Sequence, residues 1–427
     1  MMFYKDTGLQ DSPIGKISKD WEIQELSDFV EIETGKRAKG GGLSEGTVAS
    51  IGGEHIDRHG NILWIDMKYI PEDLYGLLKQ GRVRLEDILL VKDGATTGKV
   101  AIAEYLKYER VAVNEHVFLI RSKTERLSNR FLFHFLFSKF GQRQIRTRFH
   151  GLIGGIMRSD LETVLVPIPS IVEQRAVVGV LGVVDSAIEL VDRVIWKTER
   201  LKKGLMQMLL TKGIGHKEYK DTPIGKIPKE WDVLPCSELC REITVGIVVT
   251  PAKYYTSSGI PCLRSFNIQE NEINPRDLVY ISPEANMLHK KSILHTGDIV
   301  AVRTGQPGTA SVVPPAFDGA NCVDLIIFRP NDKIRSDFMS CFLNSPVAKR
   351  QITAGQTGSV QQHFNIGMTQ KLKISIPPLH EQAKIASTVY LAHKKLKLAL
   401  EEKTRLQRVK RGLMDLLLTG KIRIKVS

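Results

Sequence analysis

The chain has 427 residues, 42% of them hydrophobic and 25% charged, as in a folded globular protein of two or three domains rather than a disordered chain. Lys and Arg (61) outnumber Asp and Glu (47), and the net charge of +14 indicates a polyanionic partner. The longest apolar runs, 131–137 and 176–184, are too short to cross a bilayer, and no secretory signal pattern begins the sequence, so we expect a cytoplasmic protein without a membrane span.

The first segment in chain order is a short arm that carries a tryptophan, and it occurs twice. SPIGKISKDWEI at 12–23 matches TPIGKIPKEWDV at 222–233, which aligns Trp21 with Trp231. By contrast, residues 36–80 share little with residues 246–292. A repeat whose framework is alike and whose intervening segments differ predicts one scaffold that presents two different surfaces.

The next segments predict the sheet of each repeat. EDILLVKDGATTGKVAIA at 86–103 matches GDIVAVRTGQPGTASVV at 297–313, and VAVNEHVFLIR (111–121) and ANCVDLIIFRP (320–330) follow them. Short segments rich in Val, Ile and Phe, broken by Gly, Asn, Asp and Pro, predict a small, curved, mainly antiparallel sheet. A helix is predicted after it, over residues 127–148 and again over 334–352.

Each repeat ends in a much longer helix. Residues 171–211 lack proline, and their apolar residues recur every 3.5 positions on average, at Val177, Leu181, Val184, Ile188, Val191 and Ile195. Ile385, Val389, Ala392, Leu396 and Ala399 keep the same rhythm in the second copy. This spacing is typical of a coiled-coil seam.

The ends of the long helices also carry signals. Ser170 and Glu173 form a capping box at the first start, and Gly213 and Gly420 stand where the helices should stop. Helices of about 60 Å are too long for one compact domain to bury, so we predict that the two pack against each other.

These elements predict an α+β fold. Two tandem-duplicated globular α/β heads, each a curved mainly antiparallel sheet with helices, are joined by two long helices that form an antiparallel coiled coil. The predicted boundaries are a first head at 1–170, a first long helix at 171–212, a second head at 213–376, and a second long helix with the C-terminal tail at 377–427.

Gly204 and Gly412 interrupt the long helices at matching positions, and each costs about 1 kcal/mol relative to alanine. Close approach of another helix would offset that cost. Two alternatives remain open: docking of a partner subunit at these glycines, or a crossing within the helix pair itself.

No catalytic constellation is found in the sequence. The Pro-Pro pairs, VVPPAF and SIPPLH, lack the preceding polar residue of an adenine methyltransferase, and DGATTGKV is one residue short of a phosphate-binding loop and lacks its hydroxyl. No Pro-Asp pair of a metal-dependent nuclease is present. The 11 histidines show no metal-ligand spacing, and the five cysteines contain no CxxC, which argues against zinc and disulfides.

The repeated motifs resemble those of the specificity subunit of type I restriction-modification systems over essentially the whole chain. The resemblance is carried by the PIGKIPKEW arms, by VPIPSIVEQ and ISIPPLHEQ, and by KGLMQMLLTKG and RGLMDLLLTG at the helix ends. It implies two target recognition domains separated by two spacer helices, in a subunit without catalytic activity. It also implies modification subunits that bind S-adenosylmethionine and restriction subunits that use ATP and Mg²⁺, so that no cofactor or metal is expected in this chain.

Double-stranded DNA is the polyanion that this resemblance implies, with each head reading one half of a bipartite, asymmetric site. Lys and Arg would mainly bind phosphate, and Gln with some Arg would read bases. Residues selected by chemistry and loop position are Lys36, Arg37, Lys39, Lys92, Thr96, Lys99, Arg143, Arg146, Arg148 and Arg158 in the first repeat, and Arg264, Arg303, Gln306, Lys349, Arg350, Gln361, Gln362 and His363 in the second.

Two other interpretations of the sequence remain. A free-standing duplicated DNA-binding regulator would bind its site strongly without any enzymatic partner. A coiled-coil scaffold that binds no nucleic acid would show no salt-sensitive DNA binding.

Overall fold

The computed structural model of the protein describes residues 2–37, 42–151, 154–354 and 364–425. The chain divides into two compact units: unit 1 comprises Met1–Val191 with Glu402–Ser427, and unit 2 comprises Asp192–Glu401. Both boundaries fall inside the long helices. Each unit therefore contains the head of one sequence repeat together with helix segments from both repeats.

The strands are short in both units. The first twelve, all in unit 1, are β1 Met2–Lys5, β2 Leu9–Gln10, β3 Ile17–Ser18, β4 Glu22–Glu25, β5 Val30–Thr34, β6 Val48–Ile51, β7 Lys68–Ile70, β8 Ile88–Val91, β9 Val100–Ile102, β10 Arg110–Val113, β11 Val117–Ser122 and β12 Leu165–Ile168. Unit 2 follows with β13 Tyr219–Thr222, β14 Gly225–Pro228, β15 Asp232–Pro235, β16 Cys240–Val245, β17 Tyr255–Thr256, β18 Ile260–Leu263, β19 Ile268–Gln269, β20 Glu272–Ile273, β21 Val279–Ile281, β22 Ile299–Val302, β23 Ala310–Val312, β24 Asn321–Cys322, β25 Leu325–Pro330 and β26 Lys373–Ile376. The last strand, in unit 1, is β27 Ile422–Lys425.

The helices include two that are far longer than the rest. They are α1 Glu72–Leu77, α2 Asn129–Phe137, α3 Lys139–Arg146, α4 Arg158–Glu162, α5 Ile171–Lys212, α6 Cys236–Leu239, α7 Pro283–Leu288, α8 Ser336–Leu343, α9 Pro346–Ala354, α10 Ile366–Lys371 and α11 Leu379–Leu417. In the described parts of the chain, none of them is both long and apolar enough to span a membrane.

The two heads share one sheet arrangement. The central sheet has the antiparallel order β5-β11-β8-β9 in unit 1 and β16-β25-β22-β23 in unit 2, which confirms the mainly antiparallel prediction. A second sheet in each unit holds one parallel pair, β6 with β10 and β18 with β24. Alternation along a strand does not reveal strand direction, so the parallel pairs were not predicted.

The prediction of a single helix after each sheet is wrong, because each of the two predicted segments forms two helices, α2 and α3 in unit 1 and α8 and α9 in unit 2. In unit 1, Ser138 ends α2 with an extended backbone (ψ 165°), and its hydroxyl caps α3 by accepting hydrogen bonds from the backbone N of Phe140 and Gly141. In unit 2, Pro346 begins α9, where its missing N–H costs no helical hydrogen bond.

The core of each unit confirms that the long helices pack together in antiparallel fashion. In unit 1, Val177 and Leu181 near the start of α5 share a buried cluster with Met414 and Leu417 near the end of α11. Lys410 of α11 also forms an ion pair with Asp185 of α5.

Unit 2 shows the reciprocal arrangement. There, Met206 and Leu210 near the end of α5 pack with Ile385 and Val389 near the start of α11. The sheet and the aromatic side chains of α2 or α8 complete each core.

The repeated Trp and Glu-Gln motifs tie each head to the start of a long helix. The indole N–H of Trp21 donates to Glu173 at 3.2 Å, and that of Trp231 donates to Glu381 at 3.1 Å; all four side chains are buried. The amide of Gln174 accepts from the backbone N of Ser128 and donates to two backbone carbonyls. Gln382 makes the corresponding three hydrogen bonds in unit 2.

The ends of the long helices agree with the sequence signals. Ser170 accepts a hydrogen bond from the backbone N of Glu173 at 3.3 Å, which is one half of the predicted capping box; the Glu173 carboxylate binds Trp21 and Arg423 instead of completing the other half. Gly213 and Gly420 have φ values of 64° and 68°, the left-handed conformation that stops a helix.

The final strand of the chain closes unit 1. β27 pairs antiparallel with β1 over four residues, from Met2 opposite Lys425 to Lys5 opposite Ile422. Arg423 in β27 reaches the buried carboxylate of Glu173, with atom separations of 2.9 and 3.0 Å. Both ends of the chain therefore belong to the same compact unit.

Candidate nucleic-acid interface

Loops from separate parts of the chain meet at one end of the central sheet in unit 1. We call this region the unit 1 corner; it consists of residues 92–99, 114–116, 150–151 and 154–158. The backbone N of Lys92 donates to the carbonyl of His116 at 2.9 Å, and the backbone N of Ile156 donates to the carbonyl of Lys92 at 2.7 Å. The loop after β8 is thus held on both sides.

The side chains of the unit 1 corner form a chain of charged contacts. The carboxylate of Asp93 contacts the Nδ1 atom of His116, the Nε2 atom of His116 lies 3.4 Å from Glu115, and Glu115 lies 3.4 Å from Arg37. An open cavity of about 450 Å³ adjoins them, and its lining includes Lys92, Asp93, His150 and Arg158. Both signs of charge are therefore present at its walls.

The corresponding region of unit 2, the unit 2 corner, consists of residues 303–309, 323–324 and 364. Its loop has the same backbone turn, because the N of Val302 donates to the Thr309 carbonyl as the N of Val91 does to the Lys99 carbonyl, and Phe364 N donates to the carbonyl of Arg303 at 3.1 Å. Its side chains differ: Arg303 pairs with Asp324 at 2.9 Å, and the Thr304 hydroxyl donates to the second oxygen of Asp324 at 3.2 Å. Strand register equates Lys92 with Arg303.

The strands beneath the two corners also differ in electrostatics. In unit 1, two hydrogen bonds of 2.7 Å to Asp87 raise the pKa of Arg121. In unit 2, burial raises the pKa of Asp298, whose nearest contact to Arg329 is 3.6 Å long. The same repeat position therefore holds a tight ion pair in unit 1 and a loose one in unit 2.

Some of the residues predicted to contact DNA are available to a ligand. They are exposed and, in the described ranges, have no hydrogen-bond or ion-pair partner for their side chains: Lys36, Arg143, Arg146, Gln306 and Arg350. Arg143 and Arg146 line a second open cavity of about 470 Å³ together with Lys139. Lys92 lies over the ring of Phe118 at 5.6 Å and faces the unit 1 corner.

Other predicted residues have partners within their own unit. Lys99 donates to the Ile56 carbonyl, Thr96 to the Gly53 carbonyl, Arg148 to Gln144 and Thr163, Arg158 to Glu162, and Arg264 to the Asp277 carbonyl. Lys349 binds Glu270, which also binds Lys202 of α5, so Lys349 lies beside the long helix. Lys39, Gln361, Gln362 and His363 lie outside the described residues. The DNA-contact assignments stay predictions.

Gly204 and Gly412 lie in open surroundings. A Cβ atom built on either glycine would meet no atom within 4 Å outside its own helix segment. A close crossing within the helix pair therefore does not account for them. Each glycine has exposed apolar neighbours on one helix face: Leu201 and Met208 in unit 2, and Val409 in unit 1.

Comparison with known proteins gives the family. The family described as "Type I restriction modification DNA specificity domain" matches residues 18–200 and again 228–411, which is most of the chain. The chain belongs to this family. The prediction of a type I specificity subunit, a recognition component rather than an enzyme in its own right, is thereby confirmed.

One relative matches over nearly the full length of this specificity subunit and another over part of it. The type I restriction enzyme MjaVIII specificity subunit of Methanocaldococcus jannaschii is 24% identical over 100% of this chain and 98% of its own. The type I restriction enzyme EcoKI specificity subunit of Escherichia coli is 27% identical over 38% of this chain and 36% of its own. The crystal structure of an S subunit from M. genitalium shares the fold with a TM-score of 0.60 at 14% identity, covering 97% of this chain and 100% of the other.

Asp93, His116 and Asp324, which stand at the centres of the two corners of this specificity subunit, are not among the residues predicted from the sequence. That prediction favoured cations, because the expected ligand is an anion. One signal was present: Asp93 lies in the repeated segment DGATTGKV, whose counterpart has Thr304 at the same position. Among the described residues, no group of three His, Cys, Asp or Glu side chains could hold a metal ion.

Proposed function

We propose that each unit reads one part of a bipartite, asymmetric site in double-stranded DNA. The observation that supports this most is the pair of corners, in which the same backbone frame holds different side chains. Lys92, Asp93 and His116 occupy the positions that Arg303, Thr304 and Asp324 occupy in unit 2. Because base edges are read by the type and position of donors and acceptors, different side chains imply different half-sites.

Phosphate contacts would supply most of the affinity. Arg143, Arg146 and Arg350 are exposed and have no side-chain partner among the described residues, which, with the net charge of +14, suits sequence-independent binding to the DNA backbone. Such contacts position the duplex and carry no sequence information. Binding should therefore weaken steeply as salt is raised.

The long helices would set the spacing between the half-sites. α5 has 42 residues and α11 has 39, which at 1.5 Å per residue is about 60 Å each. Heads on one face of B-DNA are separated by about one helical turn, roughly 10 bp, with the bases between them unread.

The exposed glycine faces would dock the modification subunits. We call Leu201, Gly204 and Met208 the unit 2 glycine patch, and Val409, Gly412 and Leu416 the unit 1 glycine patch. Their spacing places each set within an arc of about 60° on its helix. S-adenosylmethionine, ATP and Mg²⁺ would be bound by the modification and restriction subunits, which would perform the chemistry.

The methylation motif tests the reading function. The chain is co-expressed with its modification subunit in a host without other adenine methylation, and the host DNA is sequenced by a single-molecule method that detects methyladenine. A discontinuous, asymmetric motif is expected. A continuous palindrome would contradict the two-reader proposal, and site-specific binding by the chain alone would favour a free-standing regulator.

Insertion of one heptad in the middle of both α5 and α11 tests the spacer. The added rise of about 10 Å should lengthen the unread gap by about 3 bp and leave both half-sites unchanged. An insertion in α5 alone is the control, because it shifts the seam out of register and should abolish methylation. An unchanged gap in the double insertion would contradict the spacer role.

Docking is tested by placing a charge on both glycine patches. Leu201→Glu together with Val409→Glu should reduce binding of the modification subunit at least tenfold by calorimetric titration, because an unpaired carboxylate would enter an apolar contact. The matched control, Lys203→Glu, puts the same side chain on the opposite side of α5. Equal binding by both proteins would contradict docking at the patches.

A further inference from the structure

We infer that Asp93 is a specificity-determining residue, which accepts a hydrogen bond from the exocyclic amino group of a cytosine or adenine in the DNA major groove. This inference rests on the proposed function and goes further by assigning one base contact to one atom group. The carboxylate of Asp93 lies at the centre of a surface expected to bind a polyanion, where a negative charge is unfavourable unless it binds a specific donor.

The position of Asp93 is fixed by the backbone around it. The preceding residue, Lys92, donates through its N to the His116 carbonyl and accepts through its carbonyl from the N of Ile156. Asp93 is therefore held between two other loops at its N-terminal side. A group that discriminates bases must be held within a fraction of an ångström, and this arrangement provides such support.

Only one of the two carboxylate oxygens of Asp93 has a hydrogen-bond partner among the described residues. Its Oδ1 atom contacts Nδ1 of His116, which must donate because a carboxylate only accepts. In the part of the chain that the structure describes, its Oδ2 atom has no hydrogen-bond partner, and the side chain is 39% exposed beside the open cavity. One fixed acceptor thus remains free to receive a donor from a ligand.

The chemistry of DNA leaves few donors for such an oxygen. A carboxylate repels phosphates, and the sugar of DNA offers no hydroxyl along the duplex, so the partner has to be a base. In the wide major groove the donors are the N4 amino group of cytosine and the N6 amino group of adenine; the N2 amino group of guanine faces the narrow minor groove, which does not admit a loop of this kind as readily. The neighbouring Lys92 would hold a flanking phosphate and offset the repulsion.

Unit 2 provides an internal comparison at the same position. There Thr304 replaces Asp93, and the carboxylate comes from Asp324 across the corner, with both oxygens already bound by Arg303 and Thr304. Each oxygen of Asp324 thus already accepts from a side chain of its own unit, whereas only one oxygen of Asp93 does so among the described residues. The two units would read different bases from one equivalent corner.

The experiment uses the full chain with its modification subunit and the methylation motif as readout. For Asp93→Asn, whose amide can donate as well as accept, one position in one half-site should lose its preference for an amino base by roughly 10- to 100-fold and admit thymine or guanine. For Asp93→Ala the same position should become degenerate. The base that the wild-type complex requires at this position, and the variants do not, identifies cytosine or adenine as the partner. The other half-site and the length of the unread gap should stay unchanged.

Two variants sharpen the interpretation. Asp28→Asn removes an exposed carboxylate of unit 1 outside the corner and should leave the motif as in the wild type. Asp93→Thr combined with His116→Asp installs the side-chain pair of unit 2 and should change the same single position.

The outcomes separate the inference from the proposed function. An unchanged motif in both single Asp93 variants overturns the inference, and so does loss of all methylation in both while the complex still assembles, because Asp93 would then support the loop rather than read one base. A wild-type complex without a discontinuous motif overturns the proposed function itself.

Discussion

Each unit buries a glutamate against a tryptophan, but the remaining partners of the two glutamates differ. In unit 1, Glu173 receives two hydrogen bonds from Arg423, at 2.9 and 3.0 Å. In unit 2, Glu381 accepts one hydrogen bond from the ring of His216 at 2.9 Å and another from the backbone N of Ile214 at 2.8 Å. Both glutamates sit at the start of a long helix, where negative charge is favourable.

The difference follows from where each partner lies in the chain. His216 comes just after α5, so the chain that ends one helix continues directly into the head of unit 2. Arg423 lies in β27, at the far end of the sequence, and reaches unit 1 only by folding. In unit 2, the partner of the buried glutamate is thus supplied by the chain that continues from α5. In unit 1, it is supplied by Arg423 of β27, which is held there by its pairing with β1.

The largest expected effect comes from removing Arg423, the ion-pair partner of Glu173 in unit 1. Arg423→Met leaves Glu173 buried with only its tryptophan as donor, and the free energy of unfolding of unit 1 should fall by about 3–5 kcal/mol. His216→Met, the matched change, leaves two donors on Glu381 and should cost unit 2 only about 1 kcal/mol. Amide hydrogen exchange of α2 and α8 in the full chain reports each unit separately. Equal losses in the two units would break the comparison.

A smaller contrast is expected at the acidic residue before β8 and β22. Asp87→Asn breaks the tight pair with Arg121 and should destabilise unit 1 by about 3 kcal/mol. Asp298→Asn should cost unit 2 less than about 1 kcal/mol, because the ion pair that it removes is a loose one, with a nearest contact of 3.6 Å to Arg329. Chemical unfolding with the same exchange readout measures both. A larger loss from Asp298→Asn would contradict this explanation.

A pH dependence should distinguish the same helix position in the two heads. Burial, with Lys410 and Arg130 nearby, lowers the pKa of His134 in α2 from 6.5 to about 3. Between pH 6.5 and 3, His134 therefore binds a proton in the unfolded chain but not in folded unit 1. The free energy of unfolding of unit 1 is highest above pH 6.5 and falls as the pH drops towards 3, by about 2 kcal/mol at pH 5.

The chain supplies a matched variant for this test. Cys341 stands in α8 at the position of His134, and burial raises the pKa of its thiol to about 12, so it stays neutral. His134→Cys should remove the loss of stability of unit 1 between pH 6.5 and 5, measured by exchange or calorimetry. If the variant keeps the slope of the wild type, another group is responsible.

Much of the fold was predicted from the sequence because it is local and repeated. The first long helix was placed at 171–212, as observed, since heptad spacing, a cap and a terminal glycine all lie within one segment. The break at Ser138 was missed because the apolar pattern continues across it, and only the capping geometry reveals it. The pairing of β1 with β27 was missed because four-residue strands at opposite ends of a chain carry no signal for each other.

The candidate site was predicted less well, for a physical reason. Charge identified Lys92 and Arg303, which the structure places at equivalent positions of the two corners. Asp93 and Asp324 were not selected because a carboxylate is an unexpected residue on a surface that is predicted to bind DNA, and only its neighbours distinguish it from an ordinary surface residue. Those neighbours, such as His116, come from other loops, and a single sequence does not show which loops meet.

The division of unit 1 between the two ends of the chain has a consequence for protein synthesis. Domains usually fold in the order in which the ribosome makes them. Here Met414, Leu417, Leu418 and Ile424 belong to the core of the head that is made first, whereas unit 2 consists of residues 192–401. The head translated first therefore completes its core only after residues 414–424 have been made, when all the residues of unit 2 have already left the ribosome.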